Sequence, residues 1–280
     1  MGETYDKFLN KTSDRYDRHG FVEWLTEEEK SINTIASYVK SVDLFFEEEK
    51  EFTKKSILAF KQNLMKRVSA KTVNLRMSGL SAYAEWKEIP IKIKMLKIQK
   101  VTYVDNVISN AEYDKLLEGL KEDENEKWYI IVKFLACTGA RASELIQFKK
   151  KHLMSGEMEL LTKGKIRTIY IPRNLAAECE TYFKDLNPED YLFTTRKREQ
   201  ITTRGIATVL LRFSERYGIP REVMHPHSFR HRYAINFLQN NNDIALLADL
   251  MGHAGVNTTM IYLRKSKEEQ RRMIDSAVDW

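Results

Sequence analysis

From Phe21 to about Ile89 apolar residues return at helical intervals. Ile35, Tyr38, Val39, Val42 and Phe46 share one face, and Ile57, Leu58, Phe60, Leu64 and Met65 cluster in the next segment. A third helix is predicted from near Ser69, with Val73, Leu80, Tyr83 and Trp86 on its apolar side. The expectation is a helical domain over 21–90 behind a tail of 1–20. After Pro90 the period drops to two, with Ile91 and Ile93 alternating with Lys92 and Lys94 and continuing toward Lys97 and Lys100. This predicts an extended basic linker over 91–108. No internal repeat or low-complexity tract interrupts the pattern.

The remainder, 109–280, predicts a second domain. A helix starts at Asn110, capped by its own side chain, and the apolar run Trp128 to Ala136 makes the next, ending at Gly139, which suits a left-handed position. A short helix follows with Ser143, Glu144 and Leu145. Glu157 to Thr162 and Ile166 to Ile171 flank Lys163-Gly164-Lys165 as a β-hairpin. Helices resume at about Asn174, over Thr203 to Tyr217 with Gly218 as the stop, after Pro226, and from Asp243 as cap to Gly252. Asn257-Thr258-Thr259 starts the helix that carries Tyr262, and 267–278 is a final amphipathic helix able to dock on this or another subunit. The fold class is therefore mainly α with a small β-sheet or hairpin.

With 280 residues the chain has material for two cores. Its formal charge of +6 favours a polyanionic partner without identifying one. Lys71 and Arg76 near the start of the third helix are placed to reach phosphates, as are Lys92, Lys94 and Lys97 along the linker. A solvated helix face, and an edge strand protected by its charge, are the plainer explanations of the same lysines. Cys137 and Cys179 sit singly in apolar helical patterns, so neither a disulfide scaffold nor a zinc ribbon is indicated. The N-terminus has no apolar signal core, Asp6 stands where myristoylation asks for Ser or Thr, and no apolar run is long enough to span a bilayer, so a cytoplasmic protein without membrane contact is expected.

The candidate chemistry comes from Arg141, the pair His227 and Arg230, Gly252-His253, and Tyr262. A phosphodiester under attack gathers charge on its non-bridging oxygens, and two guanidiniums can hold those oxygens without losing their own charge. Three residues apart at a helix start, His227 and Arg230 share one face, and a neutral imidazole can accept a nucleophile's proton. Tyrosine needs such help, because its pKa of roughly 10 leaves little phenolate at neutral pH. Each residue also has a plainer explanation. Tyr262 alone is a packing residue as readily as a nucleophile. His225, His227 and His231 carry a spacing compatible with zinc, yet Arg230 and Arg232 crowd them and no carboxylate completes a zinc-protease pattern, so no metal is expected.

In these residues the chain resembles the tyrosine recombinase, or phage integrase, family. The match runs from about Ser109 to Leu263 and keeps the order Arg, Lys, His-x-x-Arg, His, Tyr, including Leu250-Met251-Gly252-His253 and Thr258-Thr259-Met260-Ile261-Tyr262. The resemblance implies a helical core-binding domain followed by a catalytic domain. It makes Tyr262 the nucleophile that forms a 3′-phosphotyrosine. Arg141 and Arg230 become the stabilisers of the phosphorane, Glu144 the acidic residue supporting the site, His227 the general acid/base, and His253 a hydrogen-bond donor to the phosphate. Lys163 matches the hairpin lysine that protonates the leaving 5′ oxygen, with Lys165 the other candidate. Departures are confined to Ala140 and Phe229, which replace bulkier or branched apolar residues and remove no functional group. The family's partners are double-stranded DNA with paired binding sites and a homotetramer formed on it, with a Holliday junction between two strand exchanges and, in some members, an accessory directionality factor. No cofactor is implied. About twenty residues before the first helical domain are too few for an arm-type DNA-binding domain, which leaves a core-site enzyme. A type IB topoisomerase-like enzyme, a telomere resolvase and a DNA-binding regulator without catalysis are the rival readings.

Overall fold

The computed structural model describes residues 15–98, 106–162, 165–252, 255–263, 271 and 274–278. Contacts divide the chain into two units, Met1–Lys100 and Val101–Trp280, each with its own core.

Among the described residues the first unit holds four helices: α1 (Arg18–Glu27), α2 (Ile32–Glu48), α3 (Lys54–Arg67) and α4 (Ala70–Trp86). Each opens on a short polar residue that takes up an otherwise unpaired helix N–H: Asp17, Ser31, Thr53 and Ser69. Their buried faces meet in an aromatic core in which Phe21, Phe45, Phe46, Phe52 and Tyr83 contact one another mostly edge to face. Helix α1 starts at Arg18, ahead of Phe21, because Tyr16 and Arg18 are already part of the buried structure. The sequence reading of α3 needs correction. Ile57, Phe60 and Leu64 are buried while Leu58 and Met65 are about half exposed, since a turn of 3.6 residues carries these two off the stripe.

Residues 91–98 form neither helix nor strand and pair with no strand among the described residues, contrary to the edge-strand explanation. The Asn74 side chain takes the place of a neighbouring strand: its Oδ1 accepts from Leu96 N at 2.7 Å and its Nδ2 donates to Leu96 O at 3.0 Å. Ile91, Ile93 and Leu96 rest against the helical core while Lys92, Lys94 and Lys97 are exposed, so the alternation follows from packing on a helix.

In the second unit α5 (Asn110–Glu122) and α6 (Glu126–Thr138) are followed by α7 (Ala142–Leu145) and α8 (Lys150–Ser155), then strands β1 (Glu157–Thr162) and β2 (Lys165–Tyr170). Next come α9 (Arg173–Glu180), α10 (Thr203–Tyr217), α11 (Pro226–Asn240), α12 (Ile244–Met251) and α13 (Val256–Thr259). The cap of α5 is Ser109, not Asn110: Ser109 Oγ accepts from Glu112 N, and the Glu112 carboxylate accepts from Ser109 N, a reciprocal box that Asn110 is one residue too late to form. Strands β1 and β2 form a two-stranded antiparallel sheet with Thr162 opposite Lys165 and Leu160 opposite Arg167. Helix α6 is central, burying Ile130, Ile131, Val132, Phe134 and Leu135, and α11 packs along it. Tyr262 does not continue a long helix. Helix α13 is four residues, and a 3₁₀ turn, Met260–Tyr262, carries the tyrosine at its end. Half of the predicted helix over 267–278 lies outside the described residues, with 271 and 274–277 helical.

Candidate active site

Two helices end where the charged residues gather. Helix α6 closes on Gly139 (φ 61°) and α12 on Gly252 (φ 57°), both in the left-handed conformation. A Cβ at either place would also collide, at 2.5 Å from the Tyr233 ring and 2.4 Å from Arg167 Cδ respectively. The last carbonyls of a helix have no partner within it and carry the negative end of its dipole. Here guanidiniums take them up. Arg230 donates to Gly139 O and Met251 O, Arg141 Nη2 lies 3.3 Å from both Met251 O and Gly252 O, and Arg167 Nε donates to Leu250 O at 2.9 Å.

Glu144 sits at the centre. Its Oε1 accepts from Arg141 Nη1 at 2.7 Å and Arg167 Nη1 at 2.6 Å, its Oε2 accepts from Arg141 N at 2.7 Å, and Arg230 Nη1 lies 3.9 Å away. Three guanidiniums therefore surround one carboxylate. Burial alone would push the Glu144 carboxyl up, but the Arg141 backbone N–H and the Arg167 and Arg141 side chains hold it below the ordinary carboxylate value. Arg230, 3% exposed, is drawn down to about 9 by burial and by the charges of Arg141 and Arg167, with only partial relief from Glu144 and Tyr262. It stays protonated at neutral pH, and the site carries a surplus of positive charge suited to an anion.

His227 faces this surplus. Burial first, then Arg230, His225 and Arg141, lower its pKa, so its imidazole is neutral at pH 7. One turn along α11, the His231 ring lies 5.9 Å from that of His227, and His231 Nδ1 is 2.8 Å from the Tyr262 hydroxyl. Burial raises the Tyr262 phenol while the charges of Arg230 and Arg141 pull it back only in part. At rest it is a neutral phenol held in a cationic field.

The structure thus gathers Arg141, Glu144, His227, Arg230 and Tyr262 in one place. His253 and Lys163 lie outside the described residues, and for Lys165 the description extends to its backbone pairing alone. Lys71, Lys92, Lys94 and Lys97 are exposed. Arg76 is not: half-buried, it points its Nη1 at Ser37 O and Ser41 Oγ, both 3.3 Å away, and so fastens α4 to α2. His225 and His231, weighed as zinc ligands, have separate tasks, since His225 Nδ1 caps α11 by accepting from Ser228 N.

Two site residues escaped sequence reasoning. Arg167 stands on the inner face of β2 beside Ile169, whereas Ile166 points to solvent. A cation inward with an apolar residue outward is an inversion of the usual alternation, and that was its signal. His231 was marked by its spacing of four from His227, which places both imidazoles on one helix face.

The phage integrase family model matches residues 106–269. Tyrosine recombinase XerA of Pyrococcus furiosus is 29% identical over 267 residues, 92% of each chain, and TnP I resolvase of Bacillus thuringiensis is 25% identical over 91% of this chain and 97% of its own. Among solved structures, XerA recombinase shares 27% identity with a TM-score of 0.53 over 94% of this chain and 98% of its own. The Tn1549 transposon integrase in complex with transposon right end DNA gives a TM-score of 0.70 at 15% identity over 94% of this chain and 99% of its own, a likeness of fold. With the family model covering more than half of its length, the chain belongs to the phage integrase family and is a tyrosine-type site-specific DNA recombinase.

Proposed function

We propose that the protein breaks and rejoins double-stranded DNA through attack of Tyr262 on a backbone phosphate, giving a 3′-phosphotyrosine and a free 5′ hydroxyl. The observation that carries this reading is the Tyr262 hydroxyl bonded to an imidazole within the field of Arg230 and Arg141. Arg141 and Arg230 hold the non-bridging oxygens, where charge develops. Glu144 and two helix C-termini fix the guanidiniums, so little reorganisation remains for the moment of reaction. The phosphotyrosine ester conserves the energy of the broken bond, so rejoining needs no nucleotide. His227 is the general acid/base, the hairpin lysine, Lys163 in preference to Lys165, protonates the leaving 5′ oxygen, and His253 donates to the phosphate. Because the tyrosine rests in the field of Arg230 and Arg141 of its own chain, cleavage takes place within the subunit that binds the phosphate.

Lys71, Lys92, Lys94, Lys97 and Lys165 track the DNA backbone, binding without sequence information of their own. The domains that divide this work are a core-binding domain over 21–90, a basic linker over 91–108 and a catalytic domain over 109–280. The full reaction needs two such DNA sites held by a homotetramer, with a Holliday junction between the two exchanges and room for an accessory directionality factor. Such a substrate implies a cytoplasmic location, and no helix among the described residues is long and apolar enough to cross a membrane.

The test is incubation with DNA fragments flanking the protein's own gene, followed by a denaturing gel. A protease-sensitive adduct made by the wild type and absent from Tyr262→Phe is expected. Persistent adduct with Tyr262→Phe removes the nucleophile assignment, and relaxation of any supercoiled plasmid regardless of sequence would favour a topoisomerase-like activity.

A further inference from the structure

The phenol of Tyr262 must lose a proton to become an effective nucleophile, and burial makes that loss harder in the resting site. The cations around it, Arg141 and Arg230, can stabilise the phenolate but have no vacancy for a proton. Among the described residues the hydrogen-bond partner of the hydroxyl is His231, at 2.8 Å from Nδ1, and His231 comes from α11 while Tyr262 comes from the 3₁₀ turn after α13. His227, one turn earlier, faces the arginines.

We infer that His231 is the general base of strand cleavage, its Nδ1 taking the Tyr262 proton as the phenolic oxygen attacks. This rests on the recombinase reading above and moves the base work of the attack from His227 to His231. In the forward step the Oη–P bond forms and the P–O5′ bond breaks. The Oη proton passes to His231 Nδ1, giving an imidazolium, and the 5′ oxygen leaves with a proton from the hairpin lysine, Lys163. Rejoining runs in reverse, with the 5′ hydroxyl attacking phosphorus and His231 returning the proton to the departing phenolate. The distance is within the reach expected of a base and its proton. The requirement on His231 is the tautomer with hydrogen on Nε2 and a lone pair on Nδ1.

Two measurements test this. The first needs no DNA: long-range ¹H–¹⁵N spectra of histidine-labelled protein, which has only six histidines, report the tautomer, with His231 identified by its loss in His231→Asn. The Nε2–H form is expected, and an Nδ1–H donating to the tyrosine would overturn the proposal. The second is single-turnover adduct formation on the DNA site recovered with wild-type protein, with binding checked by gel shift. His231→Ala and His231→Asn should both slow cleavage about 100-fold, since the Asn oxygen accepts a hydrogen bond but cannot take the proton. A ring-fluorinated, more acidic tyrosine at 262 should recover much of that loss. A 5′-bridging phosphorothiolate, whose leaving group needs no proton, should recover none. Wild-type rates in His231→Ala or in His231→Asn would overturn the base assignment, as would rescue by the phosphorothiolate, which would move His231 to the leaving group. Absence of any wild-type adduct would instead count against the recombinase chemistry, while the tautomer still reports on His231.

Discussion

Each unit of the protein buries an arginine against a carboxylate, and the two arrangements differ in their charge count. In the first unit Arg18 Nε lies 3.4 Å from Asp43 Oδ1, which also accepts from Tyr16 Oη at 2.6 Å. One cation meets one anion, a phenol completes the shell, and burial together with Asp43 keeps that phenol protonated. In the second unit Glu144 is the one carboxylate among the described residues that faces Arg141, Arg167 and Arg230, and helix carbonyls occupy several of the remaining donors. A balanced pair needs nothing more and serves the fold. The unbalanced cluster is held in shape by neutral oxygens and, among the described residues, still lacks negative charge, which a phosphate supplies under the proposed function. The presence of a buried ion pair therefore says little about function, and the sign of its remainder says a good deal.

Removing the central anion is the harshest way to break this contrast. Glu144→Gln leaves Arg167, 5% exposed, without its counter-charge and should cost about 3–5 kcal/mol of stability, read from urea unfolding at pH 7. Because the folded-state pKa of Glu144 is depressed, its stabilisation is complete above the ordinary carboxylate range and is lost as pH falls through the lower folded value. The gap between wild type and variant should therefore close in acid. A gap that persists unchanged below pH 2 would mean that shape, not charge, explains the loss.

Arg230→Ala removes a clamp and leaves its partners mostly neutral carbonyls, so its main effect should fall on chemistry. Adduct formation should drop roughly 100- to 1,000-fold. A loss seen mainly as unfolding would place Arg230 with Arg18 as a structural group. Asp43→Asn is the matching change in the other unit. It should cost about 1–3 kcal/mol, since a buried cation loses a charged acceptor, while the single-turnover rate of bound protein stays at the wild-type value. A slowed rate at full DNA occupancy would show the two units coupled in cleavage.

The same contrast explains what the sequence disclosed. The helix ends at Gly139, Gly218, Asp243 and Gly252 were legible, because a cap or a left-handed turn depends on local chemistry, while at α5 the reading fell one residue late, on Asn110 in place of Ser109. Arg141, Glu144, His227, Arg230 and Tyr262 were legible as an ordered set. The count of three guanidiniums around one carboxylate was not, because Arg167 reaches Glu144 through strand packing across 23 positions. Nor was the His231 to Tyr262 bond, across 31 positions, or the role of Asn74, whose amide replaces a whole strand for Leu96. Arg76 drew attention as a cation near basic neighbours, but its environment is set by α2, which sequence spacing alone does not bring near.

The smallest effect expected of the charge surplus is also its most direct measure. Sulfate resembles a phosphodiester in its tetrahedral oxygens, and an anion that binds only the folded site should raise stability by about 1.4 kcal/mol at ten times its dissociation constant. Sulfate also stabilises proteins by exclusion from their surfaces, so the informative quantity is the difference between wild type and Arg230→Ala at matched ionic strength. Wild type should gain more, and Asp43→Asn should gain as much as wild type, because its altered pair has no part in anion binding. Equal gains in wild type and Arg230→Ala would mean that the helix carbonyls and Glu144 already neutralise the three guanidiniums, and the charge contrast between the two units would then disappear.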